Sequence, residues 1–231
     1  MRGAKVQPFF KFAKLFRFLS SAFASFAINY GVLIEFFSYL CGVIERQTMD
    51  IAQQKRKENV AEYILYLWQL EDLLRALQFS PEAIYSTLVK PRQTNSTNEQ
   101  VLVAWYMDIA NLLAEEKKEE KGHLDHTLHL IGDLHDLHLR LLQLPVGEAY
   151  RARYALLAPH LSALRARLGE DSEMSDTELC FRALYAAMLY RIKGEGEKVV
   201  ADTIEVVSPV IASLADYYRK VERGEIDLFK E

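Results

Sequence analysis

From Met49 onward, apolar residues return every three or four positions in one segment after another. Between about Asp50 and Phe79, the apolar series is Val60, Ile64, Leu67, Leu70, Leu74 and Leu77. Further along the chain, a second series is Tyr150, Tyr154, Leu157, Leu161, Leu164 and Leu168. This spacing places the apolar side chains on one stripe of an α-helix. The pattern predicts amphipathic helices that bury their stripes against one another.

Residues that start and stop helices lie between these segments. Ser80-Pro81-Glu82 favours a helix start, because serine caps, proline fits the first turn and glutamate suits the positive end. Ser175 and Glu178 form a capping box for a later helix. Pro159 and Pro209 predict kinks within two helices. We therefore expect residues 49–231 to form an all-α, antiparallel bundle of about six helices.

The first 48 residues have a different composition. They hold nine of the twelve Phe residues, and residues 18–44 carry one charge, Glu35. One interpretation is a membrane helix, since 27 residues would span about 40 Å against a hydrocarbon core of about 30 Å. A secretory signal is disfavoured, because the chain stays apolar well beyond the cleavage-like segment 22–24. We favour a third interpretation, in which residues 1–48 are a leader that precedes the true start at Met49.

The distribution of charge limits the binding partners. Residues 1–48 hold six basic and two acidic residues, whereas residues 49–231 hold 22 basic and 30 acidic residues. An acidic bundle argues against nucleic-acid binding through a phosphate-neutralising surface. We predict a cytoplasmic protein, with membrane anchoring through residues 18–44 as the alternative. The two cysteines provide neither a disulfide framework nor zinc-ligand spacing.

Five of the six histidines lie close together in a predicted helix from His123 to Leu144; they are His123, His126, His129, His135 and His138. At about 100° per residue, His138 falls on the apolar face and His129 roughly opposite, so one helix cannot direct all five at one metal ion. We expect His138 to be a hydrogen-bonded core histidine.

A metal-binding alternative stays open. It uses His123, His138, Glu62 and Asp72 as the polar groups of a metal-dependent hydrolase acting on a phosphorylated small molecule. Two or more buried carboxylates near His138 would support it.

Two other clusters have two interpretations each. The aromatic and acidic residues between Tyr63 and Asp72 form a packed face or a partner-binding groove, and the arginines between Arg151 and Arg167 bind an anion or pair with carboxylates.

Four segments resemble an uncharacterised bacterial family that is common in Bacteroidetes and known only as a domain of unknown function. They are residues 59–72, 120–124, 137–142 and 178–185, and the resemblance extends over roughly residues 50–221. It implies an all-helical fold but no activity, cofactor or catalytic residue. His123 and His138 lie in the matching segments, whereas His126, His129 and His135 do not.

No nucleophile elbow, phosphate-binding glycine loop or nucleic-acid motif is present in the sequence. The leading hypothesis is therefore a non-enzymatic helical module that binds a protein partner or a second copy of itself. It predicts no cofactor. The metal-dependent hydrolase is the alternative hypothesis.

Overall fold

A computed structural model describes residues 55–92, 96–169, 174–193 and 196–228. Its α-helices are α1 (Val60–Ala76), α2 (Pro81–Ile84), α3 (Ser96–Glu115), α4 (Asp125–Gln143), α5 (Glu148–Leu157), α6 (Leu161–Leu168), α7 (Asp176–Lys193) and α8 (Glu197–Glu222). These described ranges contain no β-strand. The all-α prediction is confirmed, with eight α-helices in the described part of the chain where about six were expected. The predictions for residues 1–48 lie outside the described residues.

The first long helix is shorter than the predicted range from about Asp50 to Phe79. Asn59 has extended backbone (φ −154°), and its side-chain oxygen accepts the N–H of Ala61 at 3.1 Å and that of Glu62 at 3.4 Å. This N-cap separates α1 from a helical turn at residues 55–58. The predicted continuous helix is therefore wrong at Asn59, because an asparagine side chain that bonds the backbone locally competes with the helix.

The other helix boundaries follow local chemistry closely. Ser80 Oγ accepts the N–H of Ala83 at 3.3 Å, and Ser175 Oγ accepts the N–H of Glu178 at 3.2 Å, so both predicted caps form. Pro159 lies in a 3₁₀ turn that separates α5 from α6, whereas Pro209 lies inside α8. One additional helix thus arises, because Pro159 separates two helices where the sequence predicted one kinked helix.

Helix α1 contributes to two hydrophobic clusters and lies between them. Val60, Ile64 and Trp68 pack into a large cluster with residues of α4, α5, α6, α7 and α8. The adjoining side of α1 packs through Leu67 and Leu70 into a smaller cluster with residues of α2 and α3. Helix α3 contacts chiefly α1, α2 and the short helical segment Tyr85–Val89 that follows α2, whereas α7 and α8 pack along each other. Two consequences matter for function: α1 is enclosed on several sides, and α3 lies at the edge of the bundle.

Candidate functional site

A cluster of polar and aromatic side chains fills the junction of α1, the α3–α4 loop and α7. We call it the buried polar cluster; its members are Trp68, Glu71, Asp72, Arg75, His123 and Tyr185. Glu71 has 0% of its surface exposed and Arg75 7%. Both follow Trp68 along α1, at three and seven positions, and therefore lie on the same face of the helix. That face is enclosed, so these ionisable groups lie inside the protein.

Glu71 and His123 form the central pair of the buried polar cluster. Glu71 Oε2 lies 2.8 Å from His123 Nδ1, and Glu71 Oε1 accepts the N–H of Leu124 at 3.3 Å. Burial raises the pKa of Glu71 to about 8 and lowers the pKa of His123 to about 3. Both shifts have the same cause, because burial penalises the charged form of each group. Near neutral pH the pair is thus an uncharged carboxylic acid hydrogen-bonded to a neutral imidazole.

Aromatic rings enclose His123. Its imidazole stacks on the indole of Trp68 with centroids 3.9 Å apart, and the ring of Tyr185 meets it edge-on at 5.7 Å. Trp68 Nε1 donates to Thr127 Oγ1 at 3.0 Å, and the Thr127 hydroxyl donates to the carbonyl of Leu124 at 2.8 Å. Each of these buried polar groups therefore has an internal partner, as buried polar groups generally require.

Arg75 connects α1 to the α3–α4 loop. Its guanidinium donates to Asp72 Oδ1 at 2.7 Å, to the carbonyl of Lys118 at 2.9 and 3.0 Å, and to the carbonyl of Gly122. The hydroxyl of Tyr185 donates to Asp72 from the α7 side. Asp72 thereby accepts hydrogen bonds from both Arg75 and Tyr185, and it links α1 to α7. These hydrogen bonds hold α1, α7 and the α3–α4 loop around the Arg75 guanidinium. The arrangement therefore serves to stabilise the fold.

The structure brings two of the four metal-ligand candidates into the buried polar cluster. Asp72 bonds Arg75 there, and His123 bonds Glu71. Glu62 instead lies exposed on α1, 3.1 Å from Lys55 Nζ. Across the described ranges, no three His, Cys, Asp or Glu side chains are arranged to hold a metal ion.

His138 is a core histidine, as the sequence predicted. It is 3% exposed, and its Nδ1 is hydrogen-bonded to the hydroxyl of Tyr150 at 2.7 Å. Burial lowers the pKa of His138 to about 4, so the ring is neutral at pH 7. Asp176 accepts the hydroxyl of Tyr154, whose ring packs on His138 at 4.7 Å. The pair of buried carboxylates that would favour the hydrolase does not adjoin His138 in the described structure.

The remaining histidines do not converge. Helix α4 begins at Asp125, so His123 lies in the preceding loop rather than in the predicted helix. His126 and His129 are exposed, whereas His135 is half-buried with its Nδ1 3.2 Å from Thr177 Oγ1. A shared metal site for the five is therefore not formed.

The arginines of α5 and α6 also have separate partners. Arg151 donates to the carbonyls of Leu141 and Leu144 at the end of α4. Arg153 donates to Ser213 Oγ, and Arg165 donates to Asp176 Oδ1. These arginines hold neighbouring helices, so the structure favours internal pairing over an anion site.

A second feature is the outer side of α3, which we call the α3 apolar surface; its members are Val101, Trp105 and Leu112. Val101 is 46% and Leu112 41% exposed, and Trp105 is half-buried. At about 100° per residue these three positions lie within an arc of about 40°. They extend the apolar arc of α3 beyond the part that α1 and α2 cover.

The sequence pattern placed Glu71 in a segment that forms a packed face or a partner-binding groove, and it indicated no role for Arg75. The signal was present in the spacing of Ile64, Trp68, Glu71 and Arg75, whose steps of four, three and four match one buried helical face. A charged residue in phase with a buried tryptophan indicates an internal pair. The apolar series that defined the predicted helix contained Leu67, Leu70 and Leu74 but not Trp68, Glu71 or Arg75.

Comparison with protein families tests the family resemblance that the sequence suggested. A family described as "Domain of unknown function (DUF4924)" matches residues 49–225. The chain belongs to this family. No curated protein and no solved structure matches the chain. Three segments that resemble the family, residues 59–72, 120–124 and 178–185, meet at the buried polar cluster.

Within the described residues, no helix combines the length and apolarity needed to cross a membrane. The predicted anchor at residues 18–44 lies outside the described residues. Cytoplasmic location stays a prediction.

Proposed function

We propose that this domain acts by binding another protein through the α3 apolar surface, rather than by catalysis. The observation that carries the proposal is the mismatch between the composition of α3 and its packing. Helix α3 contains apolar residues on most of its circumference, yet it packs chiefly against α1, α2 and the segment Tyr85–Val89 on one side. A helix that is apolar on most sides is normally enclosed by its neighbours. Its open side is therefore suited to a partner.

The buried polar cluster supports a structural role. Catalytic groups must face a substrate, but Glu71, Asp72, Arg75 and Tyr185 direct their polar atoms at one another or at backbone carbonyls. His123 shows only 12% of its side-chain surface. We interpret the buried polar cluster as a set of contacts that holds α1, α7 and the α3–α4 loop together. These contacts also fix the position where α3 ends.

A groove on the described surface also favours binding of a large partner over a small molecule. It has a volume of about 450 Å³ and lies along α4, between His129, Asp133, Asp136 and Glu178. It is wide open to solvent, whereas small-molecule sites bury most of their ligand's surface. The hydrolase alternative needs a converging set of ligands, and no specific observation favours it.

Site-specific photo-crosslinking in the native host tests the proposal. Leu112 is replaced by benzoylphenylalanine, and Leu156 of α5, which is 74% exposed, carries the same probe as the matched control. We expect a discrete protein adduct from position 112 and none of that mass from position 156. Mass spectrometry of the adduct then identifies the partner. The absence of an adduct at position 112, or the same adduct from both positions, would contradict the proposal.

A further inference from the structure

We infer that the α3 apolar surface accepts an amphipathic helix whose apolar stripe is flanked by lysines or arginines. This inference rests on the proposed function and specifies the chemistry of the partner. Its basis is the charge of α3, which contains Glu99, Asp108 and Glu115 and neither lysine nor arginine. Complementary charge at the edge of an apolar contact directs partner choice and speeds association.

The positions of two carboxylates carry the argument. At about 100° per residue, Asp108 lies about 20° and Glu115 about 40° from Val101, on the side away from Trp105. They therefore border the α3 apolar surface along one edge. Both side chains are exposed, and neither forms an ion pair within the described residues. Their charges are available to a basic flank on a partner.

The length of the surface fits a helical partner. Val101 and Leu112 are eleven positions apart, which corresponds to about 16 Å along α3, or three turns. Helices that bind in grooves present anchors at positions i, i+3 or i+4, and i+7, a span of about 10 Å that fits within this length. Trp105 lies between the two aliphatic residues, and tryptophan is enriched among the residues that contribute most to binding.

Other occupants match this charge pattern less well. A second copy of the chain would bring Asp108 and Glu115 close to acidic residues of the same type, which costs free energy. An anionic lipid surface would be repelled for the same reason, because membrane attraction requires basic residues. A basic helix is the occupant that the α3 apolar surface and its acidic border favour together.

The test uses two fluorescent 18-residue peptides and the full chain. Both peptides carry leucine at i, i+3, i+4 and i+7; one has lysine flanks and the other glutamate flanks. In fluorescence anisotropy we expect the lysine peptide to bind at least about tenfold more tightly, with an affinity that falls as salt rises. Removal of the acidic border by Asp108→Asn with Glu115→Gln should weaken the lysine peptide several-fold.

A matched pair of variants separates specific docking from general attraction to an acidic protein. Leu112→Glu makes the domain more acidic, so nonspecific binding of the lysine peptide would rise, whereas docking on the α3 apolar surface would fall by about tenfold or more. Leu156→Glu adds the same charge elsewhere and should leave docking unchanged. Circular dichroism confirms that both variants fold.

The outcomes distinguish this inference from the proposed function. Equal binding of the two peptides, or equal effects of Leu112→Glu and Leu156→Glu, would overturn the basic-helix inference. Dimerisation of the chain that Leu112→Glu abolishes would also overturn it, in favour of a second copy. If position 112 gives a crosslinked adduct while the peptides bind equally, the proposed function stands and the partner chemistry is wrong. If position 112 gives no adduct, the proposed function itself fails.

Discussion

The imidazole of His123 lies parallel to the indole of Trp68, with ring centroids 3.9 Å apart and planes 9° apart. The stack uses one face of His123, while its Nδ1 is 2.8 Å from Glu71 Oε2. A loop residue is thus fixed on α1 by both a ring contact and a buried hydrogen bond. Because offset aromatic contacts and buried hydrogen bonds each depend on geometry, the loop has one well-defined position.

The Glu71–His123 pair should make stability depend on pH in a specific way. The pKa of Glu71 rises from 4.5 to about 8 on folding, so its contribution to stability falls as pH rises between those values. The pKa of His123 falls from 6.5 to about 3, so its contribution rises with pH between about 3 and 6.5. The two effects cancel between pH 4.5 and 6.5. Above pH 6.5 the Glu71 effect remains, at about 1 kcal/mol per pH unit.

Glu71→Gln isolates this effect, because glutamine keeps one oxygen for the Leu124 N–H and one donor for His123 Nδ1 but does not titrate. Urea unfolding at pH 6.5 and pH 8 should show a loss of stability in the natural protein that is about 2 kcal/mol larger than in the variant. The comparison of the two proteins removes the contribution of every group that titrates equally in both. Equal losses in the two proteins would contradict the assigned burial of Glu71.

Arg75→Met should destabilise the protein strongly. The change removes a buried cation and leaves Asp72 and the carbonyls of Lys118 and Gly122 without these hydrogen bonds. The expected loss is about 3 kcal/mol, measured by chemical denaturation. Arg75→Lys should not restore stability, because an ammonium cannot reproduce the planar fork.

Arg167→Met is the matched control, since Arg167 is exposed on α6. It should change stability by less than about 0.5 kcal/mol. Similar losses at positions 75 and 167 would show that Arg75 does not connect α1 to the α3–α4 loop.

Two glycine-to-alanine changes should have opposite effects. A Cβ at Gly147 would overlap the backbone carbonyl of Leu141, so Gly147→Ala forces the turn between α4 and α5 to move. A Cβ at Gly132 in α4 meets nothing within 4 Å. Gly132→Ala should therefore raise stability by up to about 1 kcal/mol, through helix propensity alone. Melting temperatures that shift in the same direction for both variants would contradict this packing of α4 and α5.

Asn59→Ala should lower stability by about 1 kcal/mol, because the N–H groups of Ala61 and Glu62 lose their side-chain acceptor. Asn59→Asp retains an acceptor and places negative charge at the helix N-terminus, so it should preserve or raise stability. Thermal unfolding measures both. A loss in the aspartate variant equal to that of alanine would indicate that the amide nitrogen, not the cap oxygen, matters at position 59.

The sequence by itself determined the secondary-structure class and most helix boundaries. Ser80 and Ser175 cap helices, and Pro159 interrupts one, because these effects depend on residues within one helical turn. The burial of His138 also follows from its position on an apolar stripe of α4. Each of these features is decided by neighbours in sequence, which periodicity and capping rules describe directly.

Only the tertiary structure decided the buried polar cluster and the α3 apolar surface. Glu71 meets His123 across 52 positions, and Asp72 meets Tyr185 across 113 positions. The pKa shift of Glu71 comes from desolvation, which depends on every element packed around it. In the same way, the sequence of α3 shows that it is apolar, but which side stays open depends on where α1 and α2 lie. Burial is a property of packing between distant segments, so local pattern alone cannot assign it.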